Sequence, residues 1–215
     1  MAGYGTTAIS ISGILYQLLR SPSHIPKIQQ ELHASFNSSV AIDGTILQHL
    51  PYLNACIHES LRLIPAVNSR FAGRTSPGAV VSGLYVPPAV AVFADIYTTQ
   101  RSSAYWILAN EFRPERWLGD AAGRTPFAAD NKAAFRPFLL GTRACIGRQM
   151  ALQTLRLMLA HSLFRFDLEL PGKEDFVWER DVPSSLVWTD YRRLEVRLER
   201  SRWGQGADEH VEAAV

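Results

Sequence analysis

The stretch FLLGTRACIGRQMA, Phe138 to Ala151, sets one cysteine, Cys145, between Gly141 and Gly147 and between Arg143 and Arg148. Downstream, Met150, Leu152, Leu155, Leu159 and Leu163 recur at helical spacing, so the cysteine stands where a loop enters a helix. The unpaired amides and positive end of such a helix favour thiolate over thiol. A thiolate there is either a nucleophile or a metal ligand. A nucleophile needs a positioned base, and His161, the nearest histidine in the sequence, lies too far along the helix for spacing to place it. Zinc needs paired ligands, whereas Cys56, Cys145 and the scattered histidines show no paired spacing.

A single thiolate ligand to a haem iron is what remains. Gly141 lets the loop turn tightly, Gly147 lets the helix start lie close to a flat cofactor, and Arg143 can pair with an anionic group at its edge. Taken together, Phe138, Gly141, Arg143, Cys145 and Gly147 spell F-x-x-G-x-R-x-C-x-G. This resembles the haem-ligating loop of the cytochrome P450 monooxygenases. Two more of the family's motifs precede it in order. ESLR supplies the E-x-x-R pair, Glu59 and Arg62, one helical turn apart and spaced for an ion pair. FRPERW supplies Phe112, Pro114, Arg116 and Trp117, the aromatic-x-Pro-x-Arg-aromatic segment. The resemblance implies that Glu59, Arg62 and Arg116 form a structural network that holds an irregular segment against the core.

The opening AGYGTT matches the family's oxygen-helix pattern at Ala2, Gly3 and Thr6, with Gly5 where an acid is expected. The resemblance thus gives Thr6 the handling of dioxygen, with water or another group delivering protons. Competing with that, Thr6 and Thr7 are ordinary residues of a helix start. Arg70 falls where relatives set an arginine against a haem propionate, and Arg74 is its substitute.

The elements that carry these residues are mostly helical. A helix is expected from Ala2 to Leu19, with Ile11, Leu15, Leu18 and Leu19 on one side; its glycines suggest close approach to the backbone. Another follows, capped by Ser21 or by Ser23 with a later start, with a stripe of Ile28, Leu32 and Phe36. A short helix, a break at Pro51 and a helix to about Leu63, ended by Pro65, come next. AVVSGLYVPPAVAVFADIY reads as two strands, Tyr97 to Ala134 as irregular chain, and SSLVWTDYRRLEVRLERS as a hairpin with one wet face. The fold class is mainly α with small β-sheets, and the resemblance makes it the C-terminal half of a cytochrome P450-like fold. Residues 1–202 form that part and 203–215 a polar tail.

The 215 residues are 47% hydrophobic, enough for a real core, and carry a formal charge of +2 with three lysines, Lys27, Lys132 and Lys173. Nucleic-acid binding gains no support from that balance. Cys56 lies in an apolar run and reads as a buried structural thiol. The run AISISGILYQLL is too short and serine-rich to span a bilayer, so no membrane anchor is expected in this chain. The resemblance is to microsomal, filamentous-fungal members, whose full-length forms usually sit at the endoplasmic reticulum membrane. It implies haem b, a small-molecule substrate, an NADPH-dependent reductase and oxygen insertion, with secondary metabolism as the setting. Two alternatives stay open: an inactive family remnant or incomplete gene product, and a haem-binding module without oxygenase chemistry.

Overall fold

The computed structural model describes residues 2–68, 73–119, 124–172, 175–182 and 194–201. Helix α1 (Ala2–Arg20) buries Ile14, Leu18 and Leu19, with Ile11 and Leu15 packed at the margin of the same cluster. Of its glycines, Gly13 meets a neighbour: a Cβ there would stand 3.0 Å from Cγ2 of Ile64. Gly3 and Gly5 face open space, so close approach to the backbone is confined to the middle of the helix.

Neither serine starts the second helix. Pro22–His24 is a short 3-10 turn for which Ser21 makes no side-chain capping bond, and α2 (Ile25–Ser35) begins behind it with Pro26 in its first turn. Two prolines four residues apart explain the delay, because each lacks an N–H and is tolerated only where a helix opens. The stripe of Ile28, Leu32 and Phe36 is buried as expected. Asp43 caps the single turn α3 (Gly44–Leu47), its carboxylate accepting from the Thr45 N–H at 2.8 Å. Pro51 is the first residue of α4 (Pro51–Leu63), and Pro65 follows its end.

β1 (Arg74–Thr75) precedes the stretch expected to hold two strands, residues 79–97, which holds three short ones: β2 (Ala79–Val81), β3 (Leu84–Val86) and β4 (Ala91–Val92). β2 and β3 form a hairpin around Ser82 and Gly83, both at positive φ (47° and 83°), the backbone a two-residue hairpin turn requires. Pro87 and Pro88 have no N–H to extend that ladder, so pairing resumes only between β4 and β1.

From Tyr97 to Ala134 the chain is largely irregular. It contains the end of α5 (Ile96–Gln100), capped by Asp95, and 3-10 turns at Pro114–Trp117 and Lys132–Ala134. Helix α6 (Arg148–Arg165) buries Leu152, Leu155, Leu159 and Leu163, but Met150 is 71% exposed. At 100° per residue Met150 points about 160° away from Leu152, so it never shared that stripe. β5 (Phe166–Glu169) pairs antiparallel with β6 (Arg197–Arg200), and α7 (Trp178–Asp181) lies between them in sequence. The expected hairpin of residues 184–201 falls mostly on residues outside those described, as does the polar tail.

Helices α1, α2, α4 and α6 converge on one core that includes Cys56, 0% exposed. Burial pushes the Cys56 thiol far above its ordinary range, as befits a structural residue. A smaller cluster joins Ile9 and Tyr16 of α1 to Phe176, Trp178 and Val182. Among the described residues no helix is long and apolar enough to cross a membrane.

The contact at Gly13 predicts that Gly13→Val, which must displace Ile64, lowers stability by about 1–3 kcal/mol, read from the urea midpoint. Gly3→Ala and Gly5→Ala, with open space around them, should leave that midpoint no lower.

Candidate active site

Two assemblies, a buried charge network and a thiol-bearing loop, lie in the region the sequence motifs share. The network starts on the inner face of α4. Glu59 and Arg62 are one turn apart, and both side chains are 0% exposed. Arg62 donates from Nε to Glu59 Oε2 and from Nη2 to Oε1, each at 2.9 Å. Its remaining N–H groups reach the carbonyls of Gln100 (2.7 Å), Ala109 (2.6 Å) and Glu111 (3.1 Å), so one guanidinium ties the irregular segment down at several points.

The turn Pro114–Trp117 completes it. Arg116 donates from Nε to Glu59 Oε1 at 2.9 Å and from Nη2 to the Ile107 carbonyl at 3.0 Å. The Trp117 indole N–H donates to Glu59 Oε2 at 3.0 Å, and the Arg113 amide to Oε1 at 2.9 Å. The Trp106 ring lies beneath both guanidinium groups, 5.2 Å from Arg62 and 5.6 Å from Arg116. Glu59, Arg62 and Arg116 therefore meet as the sequence motifs implied.

Sequence reasoning missed a fourth member. Asp130 forms a fully buried ion pair with Arg116, and its other oxygen accepts from the Ile107 N–H at 2.7 Å. A signal for it existed in charge arithmetic. One carboxylate cannot balance two buried guanidinium groups, and an unpaired charge in the interior costs several kcal/mol, so a second acid was required.

The loop follows from Phe138. The Phe138 carbonyl accepts from the Cys145 N–H at 2.8 Å, which closes the loop into a compact unit. Gly141 has φ 67°, so the glycine is needed for the turn; Leu139, also at positive φ (60°), carries backbone strain. A 3-10 turn over Gly141–Arg143 leads to Cys145, and Gly147 is the N-cap of α6. Cys145 is exposed. Around it Ile146 (104%), Met150 (71%) and Leu140 (58%) are also exposed. A Cβ on Gly141 would meet nothing within 4 Å, and one on Gly147 only the Cys145 sulfur at 3.9 Å. An exposed thiol at a helix start, with uncovered apolar side chains within five residues of it and clear glycines, fits a flat, mainly apolar group with one soft ligand position.

The remaining candidates are dispersed. Thr6 lies partly buried on α1, which packs along α6, and its carbonyl accepts from the Ser10 hydroxyl at 2.7 Å. Arg143 is exposed on the loop and Arg74 exposed on β1. Arg70 lies outside the described residues. Beside the network, His58 packs edge-on against Trp117 and Phe135. Burial, with smaller contributions from Arg156 and Arg148, pushes its pKa down to about 4.

Residues 1–192 match the family Cytochrome P450, and the chain belongs to it. It is 47% identical over 200 residues to sesterfisheric acid synthase of Neosartorya fischeri, covering 93% of this chain and 36% of that protein. Cytochrome P450 monooxygenase tpcB of Cochliobolus heterostrophus is 46% identical over 200 residues, covering 93% of this chain and 39% of that protein. Cytochrome P450 monooxygenase btcB of Colletotrichum orbiculare is 47% identical over 192 residues, with 89% and 35% covered. The chain thus spans well under half the length of these relatives.

Two outcomes are expected here. Glu59→Gln leaves Arg62 and Arg116 short of a buried counter-charge and should cost about 3–5 kcal/mol, read by chemical denaturation. For His58 the folded pKa lies below the unfolded one, so its contribution is present above pH 6.5 and is lost as pH falls towards about 4. His58→Phe should flatten that part of the stability profile, measured as the denaturant midpoint against pH.

Proposed function

We propose that this chain carries the iron-ligating part of a haem-thiolate monooxygenase, in which Cys145 would hold the iron of haem b. The observation that carries the reading is the exposed Cys145 thiol at the start of α6, bordered by clear glycines and the uncovered side chains of Leu140, Ile146 and Met150. When bound, the haem supplies activation of dioxygen and insertion of one oxygen atom into a small organic substrate, with electrons from an NADPH-dependent reductase. The residues of this chain bind and orient. Cys145 offers its sulfur at the start of α6, and the Phe138 carbonyl holds its amide in place. Arg143 is the partner for a propionate, and Arg70 is assigned the same role by position in the sequence. Gly141 and Gly147 keep the approach clear, and Phe138 anchors the loop at the core margin. The Thr6 hydroxyl is the group for hydrogen bonding to dioxygen or a water. Secondary metabolism is the setting supported by the fungal relatives, one of which is named as the synthase of sesterfisheric acid. We assign residues 1–202 to one part of the family's domain and 203–215 to a polar tail.

A second reading, haem binding without oxygenase chemistry, has one observation in its favour. Gly5 stands where the family's acid is expected, in open space that a side chain would have had room to fill. Under it, Cys145 is retained and Thr6 is dispensable.

The deciding measurement is the reduced carbon-monoxide difference spectrum of the haem-supplemented chain. A red-shifted Soret band that disappears in Cys145→Ala is expected. A folded, soluble chain without that band overturns the assignment of Cys145, and a band without NADPH-dependent oxygen uptake in the presence of a reductase selects the second reading.

A further inference from the structure

Gln100, the last residue of α5, is 0% exposed and hydrogen-bonded through every polar atom of its side chain. Its amide nitrogen donates to the carbonyls of Leu61 (3.1 Å) and Arg62 (3.0 Å), in the last turn of α4, where helix carbonyls have no partner within the helix. Its amide oxygen accepts from the N–H of Arg136 at 2.7 Å. Its backbone carbonyl takes a further bond from Arg62 Nη1 at 2.7 Å.

Arg136 is where the chain leaves the core to become the cysteine loop. Pro137, with its restricted φ, follows, and then comes Phe138, whose carbonyl holds the Cys145 amide at 2.8 Å. A short path therefore runs from the end of the E-x-x-R helix through one side-chain amide to the base of the loop. Only a primary amide puts two donors and an acceptor on one planar group; glutamate lacks the donors, methionine lacks both functions, and asparagine is one methylene short.

We infer that Gln100 is a positioning residue for Cys145, fixing the base of the thiol loop relative to α4 through the Arg136 N–H. Its spectroscopic consequence rests on the haem-thiolate reading above; the hydrogen bond itself does not. Gln29 provides the control. It is also buried (5% exposed) and bonds through its amide nitrogen to the Leu163 carbonyl (3.2 Å) and Asp167 (3.0 Å), at the opposite end of α6 from Cys145.

The test compares Gln100→Met with Gln29→Met in the full chain. In the haem-loaded, reduced, carbon-monoxide-bound form, the ratio of the red-shifted thiolate-ligated band to the blue-shifted band of lost thiolate should fall about tenfold in Gln100→Met. Gln29→Met should lose comparable stability and hold that ratio within about twofold. Equal ratios in the two variants, or an unchanged ratio in Gln100→Met, overturn the inference. A second arm needs neither haem nor a folded variant. In the wild-type chain the Arg136 amide should exchange its hydrogen at least about a hundredfold more slowly than an unprotected amide. An unprotected Arg136 amide overturns the inference, whatever the spectra show. A protected Arg136 amide in a wild-type chain that gives no thiolate band would sink the haem-thiolate reading and leave the positioning of the loop base intact.

Discussion

The irregular segment of this structure is arranged around a carboxylate that has no access to water. Isolated in a protein interior, Glu59 would be costly enough to unfold a marginal domain. It is tolerable because both its oxygens are filled by Arg62, Arg116, the Trp117 indole and the Arg113 amide. Each partner brings a different piece of chain. Arg62 comes from the same helix, whereas Arg113, Arg116 and Trp117 come from a segment with almost no regular structure. That segment has few backbone ladders to define its path, so its conformation is set by where its donors must go. Asp130 extends the same logic, since neutralising Arg116 fixes the chain just before it turns towards the cysteine.

The cysteine loop shows the complementary pattern. Where the network is buried and satisfied, the loop is exposed and strained, with Leu139 at positive φ and apolar side chains facing outward. Strain of this kind persists only where surroundings over-determine the backbone. Here the constraints are the Phe138 to Cys145 hydrogen bond within the loop and the α6 helix that begins at its far side. A rigid base and an uncovered top suit the proposed role of this loop in presenting one sulfur atom to a large planar group.

Much of this was legible in the residues. The helices of the core announce themselves by periodic leucines and isoleucines, and the E-x-x-R pair and the FRPERW segment named the members of a network before any geometry was known. What escaped were features that no local pattern encodes. Asp130 looks like any acid in a loop, and only the demand for charge balance at Arg116 marks it. Gln100 looks like a surface glutamine at the end of a short helix, yet it is among the most deeply buried polar residues described. The second helix starts late because Pro22 and Pro26 compete for its first turn, which spacing of apolar residues cannot arbitrate. Met150 was misplaced for a simpler reason: it obeys the apolar composition of the stripe but not its angle. Three strands rather than two in residues 79–97 reflect the pair of prolines that interrupts one ladder and lets another resume.

The two thiols of the chain meet opposite fates. Cys56 is sealed in the core with its proton held firmly, whereas Cys145 stands in the open at a helix start. Of the two, Cys145 is the sulfur that peroxide reaches first, and its oxidation beyond the sulfenic stage is not reversed by ordinary reductants. Oxidation at that exposed position would therefore remove the atom proposed as the iron ligand, whereas the sealed thiol of Cys56 lies out of reach.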